Sequence, residues 1–520
     1  MPSAKHSFTV QSNITSKQLP IDSVRVGPPR LNAYKRLLGR FYEPLFLLRV
    51  LGQTRGQHTV GSPGPSSEQA RRRFLRNLAF VCDFAKGGIS CTAIGLEDSE
   101  TCYRFCISSN ASVDKIVEFA KNVLSHLERF PTLAGGSDER RYKDELTSFC
   151  LNFAISRVKK ERQCLFQAIR QCYPIPGSVK TQQDQMIEDW LKPILEQDDC
   201  LALCDYAYEH RKSAIIDIIR KKAQDEEKLT GPQDRRSPFA LVTHYIGRLA
   251  DHIRAPSQLV EDIYHLSQIL DSYEVVAIAC VPPVPRPAPD NLTTVDGILN
   301  RMLKKDDPER LQIRNSLLSM NSRSQSRIFE GFMEQYDKCT PQVHAEVQVL
   351  DHFFRSNLSF VGNDRYIACS KPACLCCELY FKHHPARMDP PGCHRKVWVN
   401  WSPPSVNNPT KGNPEYDLQV KVLNEMTSDI RRDVIADILG HSSSSPWHPD
   451  SLTAISDDRW SRVDLEELRK NTSQCSIADG SLEMEAAERS TAKVWGTKEL
   501  KTHVSDEDYD ADCGGVSLKT

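Results

Sequence analysis

The sequence predicts an α/β protein with a large, mainly α-helical insertion or companion domain and a disordered C-terminal tail. Three observations support this class. Helix and strand patterns alternate within residues 68–130 and again within residues 336–440. Residues 131–335 between them carry almost only amphipathic helical patterns. From residue 441 onward the chain is poor in hydrophobic residues and includes the acidic stretch SDEDYDAD, which is typical of a mostly disordered acidic tail.

The overall composition limits the function classes that remain. The chain has 520 residues, 39% hydrophobic residues and a formal net charge of -1, so its total charge does not indicate a general polyanion binder, although a local basic face stays open. The first residues lack the apolar core of a signal peptide, and the longest apolar run, residues 275–284, is too short for a membrane span. We therefore expect an intracellular protein, cytoplasmic or nuclear, without membrane association.

The predicted elements of the N-terminal part form one α-β-β-α unit. It is preceded by an irregular segment with one docked helix, YKRLLGRFYEPLFLLRVL, and by a Gly/Pro/Ser-rich linker at residues 53–67. The unit consists of a helix (EQARRRFLRNLAFVCDFA), a hairpin (CTAIGLED and CYRFCISSN) and a second helix (VDKIVEFAKNVLSHLERF) whose apolar residues keep to one face.

The second predicted unit contains two helix–strand pairs and a last helix. Its helices are VHAEVQVLDHFFRSN and KPACLCCELYFKHH, its strands are RYIACS and RKVWVNW, and LQVKVLNEMTSDIRRDVIADIL ends it. The predicted organisation is therefore an irregular N-terminal segment, the α-β-β-α unit, a helical region, an α/β core and the tail, at residues 1–67, 68–130, 131–335, 336–440 and 441–520.

Three cysteines crowd the stretch SKPACLCCELYF. In an intracellular chain they are expected to be reduced thiols or metal ligands, so a disulfide is disfavoured. Cys374 and Cys377 are three residues apart at a predicted helix start, which brings both thiols to one side of an N-terminus that favours thiolate. Cys376 is expected to fill the core.

A histidine and a glutamate stand at the start of the preceding predicted helix. His344 and Glu346 are two residues apart, so both can serve one site only if that site lies off the helix N-terminus. Zinc takes thiolate and imidazole ligands, and three protein ligands leave the fourth position open, as in catalytic sites. The pattern predicts that His344, Cys374 and Cys377 bind Zn²⁺ and that Glu346 moves protons to and from an activated water.

The stretch HAEVQVLDHFF…YIACSKPACLCCELYF…RKVWVNW resembles the cytidine-deaminase-like superfamily, and more closely a fungal family of deaminase-like proteins related to bacterial toxin-type nucleic-acid deaminases. The resemblance implies a three-layer α/β/α deaminase-like fold, zinc ligation by the His and the two Cys, and an acid/base role for Glu346. One departure from the pattern is Ala373, which separates Pro372 from Cys374.

The resemblance also implies a helix and two antiparallel strands before the His-x-Glu helix, whereas residues 300–340 show only helix and loop patterns. The helix and hairpin at 68–110 are therefore candidates for the first part of a discontinuous domain, with residues 113–340 as the insertion. Asn110 would then correspond to an Asn that contacts the substrate sugar in several deaminases. The alternative is an Asn that caps or turns the chain after a strand.

Two functions remain compatible with the sequence. The first is a zinc-dependent hydrolytic deaminase whose substrate contains a nucleobase, either as a nucleoside or nucleotide or within a nucleic acid. The second is a non-catalytic, zinc-stabilised scaffold whose helical region binds a protein partner. The presence of Glu346 favours the first, because a structural zinc site has no use for a carboxylate that is not a ligand.

Overall fold

The structure is a computed structural model that describes residues 29–30, 32–62, 64–133, 138–173, 180–230, 237–323, 327–440, 448–451 and 453. The predicted irregular N-terminus and disordered tail lie largely outside these residues. Within them are fifteen α-helices: α1 Ala33–Leu51, α2 Gln69–Cys82, α3 Val113–Leu133, α4 Asp138–Phe153, α5 Ile155–Cys172, α6 Gln182–Leu195, α7 Cys200–His210, α8 Ala214–Thr230, α9 Pro238–Leu266, α10 Val295–Met302, α11 Arg310–Arg323, α12 Ile328–Lys338, α13 Ala345–Arg355, α14 Leu375–His383 and α15 Pro414–Ile438. The described strands are β1 Thr92–Asp98, β2 Tyr103–Ser109, β3 Tyr273–Ala277 and β4 Ile367–Cys369.

The four strands form one mixed sheet in the order β3-β2-β1-β4. Strand β1 runs antiparallel to both β2 and β4, and β2 runs parallel to β3. In this register Ile94 of β1 lies between Ile107 of β2 and Ala368 of β4. The hairpin predicted at residues 91–110 is therefore confirmed, and it lies directly beside the strand that leads into the cysteine cluster.

Helices pack against both faces of this sheet. Ile94 and Leu96 of β1 belong to the core formed with α2 and α3, whereas Ala93 belongs to the core formed with α13 and α14. Gly95 faces the same side as Ala93, and a Cβ atom there would lie 2.6 Å from the ring of Phe353. The missing side chain at Gly95 therefore lets α13 lie close to the centre of the sheet.

The helical region is organised around the 29-residue helix α9, which packs against α2 as well as against α4, α5, α7 and α8. It is not purely helical, however, because β3 lies within it. The run YEVVA follows α9 and pairs beside β2, with Val275 opposite Phe105. The prediction of a mainly helical region did not include that strand. Among the described residues, no helix has both the length and the apolar character needed to cross a membrane.

One predicted strand is absent from the structure. The stretch RKVWVNW forms no strand; it makes single bridges, such as that of Lys396 with Thr54, because its backbone bonds to several separate loops. The segment at 53–67 is correspondingly more than a linker, since Val397 N donates to Gln53 O at 2.9 Å and Thr59 pairs with Cys393. The docked helix predicted before it is confirmed as α1, which packs on α15.

Candidate metal centre

The helix starts predicted near His344 and Cys374 are confirmed. His344 is the N-cap residue of α13 and Cys374 is the N-cap residue of α14, both with extended backbone conformations. Neither side chain forms a capping hydrogen bond with its own helix. Both side chains are therefore available to a group bound beyond the helix N-termini. Because helix N-termini carry partial positive charge, this position favours thiolate and other anionic groups.

Three donor atoms from these two helix starts converge. His344 Nδ1 lies 3.6 Å from Cys374 Sγ and 3.3 Å from Cys377 Sγ, and the two sulfurs are 3.6 Å apart. Bond lengths of about 2.3 Å to sulfur and about 2.0 Å to nitrogen in a tetrahedron would require about 3.8 Å between sulfurs and about 3.6 Å between sulfur and nitrogen. The three residues therefore fit a zinc ion, and the sulfurs are too far apart for a disulfide bond.

The ionisation of the cluster is shaped by burial and by mutual charge. Burial alone would raise the pKa of Cys374, but the hydrogen bond from Cys377 and the charge of His344 lower this pKa to about 6. Burial opposes protonation of His344, yet the Cys374 thiolate raises the pKa of His344 to about 9. Burial, Cys374 and Glu346 together raise the pKa of Cys377 well above its ordinary value. The cluster thus stabilises negative charge on Cys374 beside a protonatable imidazole.

The Glu346 carboxylate lies beside the three donors without being one of them. It is buried in the first turn of α13, and its negative charge contributes to the raised pKa values of Cys377, Cys91 and Cys369. We define residues 370–375 as the metal loop. Cys369 directly precedes this loop, Cys377 follows it by two residues, and Cys91 Sγ lies 3.7 Å from Ser370 Oγ. A carboxylate held at this place can exchange protons with a group bound at the three donors.

Asn110 directly follows β2 and lies at the start of α13. Its Oδ1 accepts from Ala345 N at 2.8 Å, and its Nδ2 donates to Gly88 O at 2.8 Å. The side chain thus supplies the capping interaction that His344 does not make, and it does so for a helix 235 positions away in the chain. A contact between Asn110 and a substrate sugar stays a prediction. Its position next to His344 places it within the site's immediate surroundings.

A tryptophan that no sequence pattern singles out donates to one of the thiols. Trp401 Nε1 lies 3.2 Å from Cys377 Sγ, and the indole is fully buried between Phe41 and Tyr380. The same stretch, RKVWVNW, contains a second tryptophan. Trp398, the other, is half-buried and donates to His394. Hydrogen bonds of this kind orient ligands and stabilise charge on sulfur.

The metal loop is also fixed to the loop before β1. Thr92 N donates to Ser370 Oγ at 3.1 Å, and the Lys371 ammonium donates to Gly87 O and lies 3.9 Å from Asp83. Asp83 is buried and accepts from Ser90 Oγ at 2.5 Å. Sequence patterns do not predict these contacts, because the contacting residues are far apart in the chain. Lys371 and Asp83, for example, are almost 290 positions apart.

Ala373, the departure from the superfamily pattern, has a clear structural place. It forms a bridge with Cys393, and its N–H donates to Gly392 O at 2.7 Å. The extra residue is therefore taken up in backbone pairing, and Cys374 is still the N-cap residue of α14. Cys376 is fully buried, as predicted, and burial raises the pKa of its thiol well above the ordinary value.

Comparison with known proteins agrees with this geometry. Residues 343–405 match the model of the OTT_1508-like deaminase family. The matched range contains His344, Glu346, Cys374 and Cys377 but not Asn110 or the β1–β2 hairpin. No curated protein and no solved structure matches the chain. Residues 343–405 are therefore similar to a deaminase domain of the cytidine-deaminase-like type.

Proposed function

We propose that the protein is a zinc-dependent hydrolytic deaminase acting on a nucleobase, either in a nucleoside or nucleotide or in a nucleic acid. The observation that carries the proposal is the convergence of His344, Cys374 and Cys377 beside the buried carboxylate of Glu346. Structural zinc sites are usually closed by four protein ligands. Among the described residues, the group of potential ligands has three members, which leaves a position for water or substrate.

The sheet supports a three-layer α/β/α deaminase-like fold for this site. In our proposal α2 and α3 form one layer, the sheet forms the second, and α13 and α14 form the third. Residues 68–110 and the family-matched segment then make one discontinuous domain. The antiparallel pairing of Ala93 in β1 with Cys369 in β4 supports this assignment, because it joins the two parts within one sheet.

The proposed chemistry assigns a separate task to each side chain. His344, Cys374 and Cys377 would hold the ion, which when bound supplies the Lewis acid that activates water near neutral pH. Glu346 accepts a proton from the attacking water and delivers it to the departing amine. The carbon–nitrogen bond breaks, a carbonyl forms on the base, and ammonia leaves. The Trp401 N–H balances negative charge on Cys377.

The proposal is tested by metal analysis together with a screen for ammonia release. Full-length protein should contain about one zinc per chain. Nucleosides, nucleotides and oligonucleotides carrying cytosine, adenine or guanine are then assayed. Glu346→Gln should keep the zinc and lose about 100-fold or more of the activity. Glu425→Gln, at an exposed position of α15, is the matched control and should leave both unchanged.

The outcomes separate the proposal from its alternative. Absence of zinc from freshly purified protein would contradict the site assignment. Bound zinc without ammonia from any substrate would instead support a non-catalytic scaffold whose helical region binds a protein partner. Full activity in Glu346→Gln would exclude the proton-transfer role.

A further inference from the structure

The chain between β3 and α10 contains a stretch dominated by proline, VPPVPRPAPD at residues 281–290, here called the proline segment. Every residue from 281 to 289 is either a proline or directly precedes one. Proline fixes its own φ at about −65° and confines the residue before it to extended conformations. The structure has neither helix nor turn in this segment. These constraints favour the polyproline II helix, which has three residues per turn.

Burial along the proline segment repeats every three residues. Val284, Pro287 and Asp290 are buried and form one edge of such a helix. The residues on the other two edges are mostly exposed: Pro282, Pro285 and Ala288 on the second edge, and Pro283 and Arg286 on the third. The period of three matches the polyproline II helix, so one edge lies against the protein and two edges are open to a partner.

Hydrogen bonds fix the proline segment on the folded chain. Val284 N donates to Ser402 Oγ at 3.0 Å. Four residues further on, Ala288 O accepts from Arg30 Nη2 at 2.8 Å. The segment therefore keeps its extended shape before any partner binds. Because a preorganised ligand loses little conformational entropy on binding, this fixed shape favours association.

The charged side chain on the exposed edges is engaged within the protein. Arg286 Nε and Nη2 donate to Tyr336 O at 3.0 and 2.6 Å, near the end of α12. A cation at a helix C-terminus also balances the helix dipole. With this guanidinium occupied, the exposed edges present mainly apolar proline and alanine side chains. The complementary surface of a partner is therefore expected to be apolar or aromatic and not acidic.

We propose that the proline segment is the docking site for a protein domain that binds polyproline II helices in a groove lined by aromatic side chains. Grooves of this kind recognise Pro-x-x-Pro, and Pro282 and Pro285 have this spacing on an exposed edge. At about 3.1 Å per residue, the two prolines repeat about 9 Å apart along the helix. A groove covers a helix from one side, so the two exposed edges suffice. The inference concerns a protein partner and goes beyond the proposed deaminase activity.

The test measures binding of the full-length protein to a panel of purified SH3 and WW domains by isothermal titration calorimetry. We expect binding by at least one domain of the panel. The double variant Pro282→Ala/Pro285→Ala should weaken that binding about tenfold or more, because residues that fill aromatic pockets dominate the affinity. The matched control is Pro308→Ala/Pro385→Ala, which changes two exposed prolines outside the segment and should bind as wild type. Circular dichroism establishes that both double variants fold.

A second measurement locates the contact on the protein. Cys280 is exposed and directly precedes the proline segment, so a bound domain should shield its thiol. With the domain at about ten times its Kd, alkylation of Cys280 should slow about tenfold, since only about a tenth of the chains stay free. Peptide mass spectrometry quantifies the alkylation. Cys102, half-buried between β1 and β2, is the internal control and should react at an unchanged rate.

The outcomes decide between a docking site and a stiff connector. No binding by any domain of the panel, or equal binding by the two double variants, would overturn the proposal and leave the proline segment as a connector. Equal shielding of Cys280 and Cys102 would contradict docking at the segment. A proline-rich peptide that occupies the aromatic groove should displace the full-length protein, and failure to do so would place the contact elsewhere on the domain. Neither measurement involves ammonia release, so these results are independent of the proposed function.

Discussion

Arg157 of α5 and Asp83, directly after α2, form an ion pair buried within the protein. The Arg157 Nη1 atom lies 3.4 Å from Asp83 Oδ2, and the side chains are 1% and 0% exposed. The same guanidinium nitrogen donates to Asp83 O at 2.7 Å. Since Asp83 also lies 3.9 Å from Lys371, one buried carboxylate stands between the helical region and the metal loop. The helical region is thus joined to the site by charge as well as by packing.

The first prediction concerns this pair. Arg157→Met should lower the free energy of unfolding by about 3–5 kcal/mol, because it leaves the carboxylates of Asp83 and Glu161 buried with fewer positive partners. Urea denaturation followed by circular dichroism measures the change. The matched control is Arg141→Met, which removes the exposed ion pair with Glu145 and should cost less than about 1 kcal/mol. An equal decrease in the free energy of unfolding in the two variants would contradict the idea that burial of the Arg157 pair determines its effect on stability.

The second prediction concerns the hydrogen bond from Trp401 to Cys377. Trp401→Phe keeps an aromatic ring in the core but removes the N–H that would stabilise a Cys377 thiolate when zinc binds. Loss of a group that supports a ligand typically reduces metal affinity about 10- to 100-fold, and we expect a reduction in that range. Competition with a zinc-binding dye measures the affinity.

Trp398→Phe is the control for this experiment. Trp398 donates to His394 and not to a predicted ligand, so its replacement should leave zinc affinity near the wild-type value. A similar loss of affinity in both variants would show that the effect arises from packing of the segment. An unchanged zinc affinity in Trp401→Phe would show that the indole N–H does not contribute to metal binding.

The parts of this structure that sequence patterns predict are local. His344 and Cys374 stand at helix starts that capping and spacing indicate, and the β1–β2 hairpin joins neighbours in sequence. Strand β3 was missed because its partner residues, such as Phe105 opposite Val275, are 170 positions apart. Short strands of this kind have too few residues to reveal their period.

Burial of charge was equally hidden from the sequence. Arg157 and Glu161 have the spacing of a solvated i,i+4 pair on a helix surface. In the structure Glu161 also bonds His252 of α9 at 2.8 Å, and the three side chains share one buried network. The Arg157–Glu161 pair is buried because α5 packs on α9. The same holds for Lys396, whose partner Asp450 lies in the predicted tail.

The third prediction concerns the contact that positions α13. Gly95→Ala should lower the free energy of unfolding by about 1–3 kcal/mol, because the new Cβ would lie 2.6 Å from the Phe353 ring and 2.9 Å from Val349. Zinc affinity should fall as well, since α13 carries His344 at its start. The control is Gly52→Ala, where the nearest atom is 3.6 Å away and the backbone is extended. Comparable destabilisation by both substitutions would contradict the close approach.

The fourth prediction concerns the pH dependence contributed by His384. This side chain packs between Phe354 and Tyr380, and burial, with a smaller effect of Arg355, lowers the pKa of His384 from 6.5 to about 4. Because the folded-state pKa lies below the unfolded-state value, the unfolded chain binds the proton first as the pH falls. The stability contribution is therefore present above pH 6.5 and is lost as the pH falls toward about 4.

His384→Asn removes this titration and keeps a hydrogen-bond acceptor for Ala386 N, which the ring's Nδ1 accepts in the wild type. Urea denaturation at pH 7 and pH 5 gives the change in the free energy of unfolding between the two pH values. This change should be smaller in the variant than in the wild type, by at most about 2 kcal/mol. His265→Asn, at an exposed position of α9, should keep the wild-type difference. An equal pH dependence of stability in wild type and His384→Asn would mean that folding does not lower the pKa of His384.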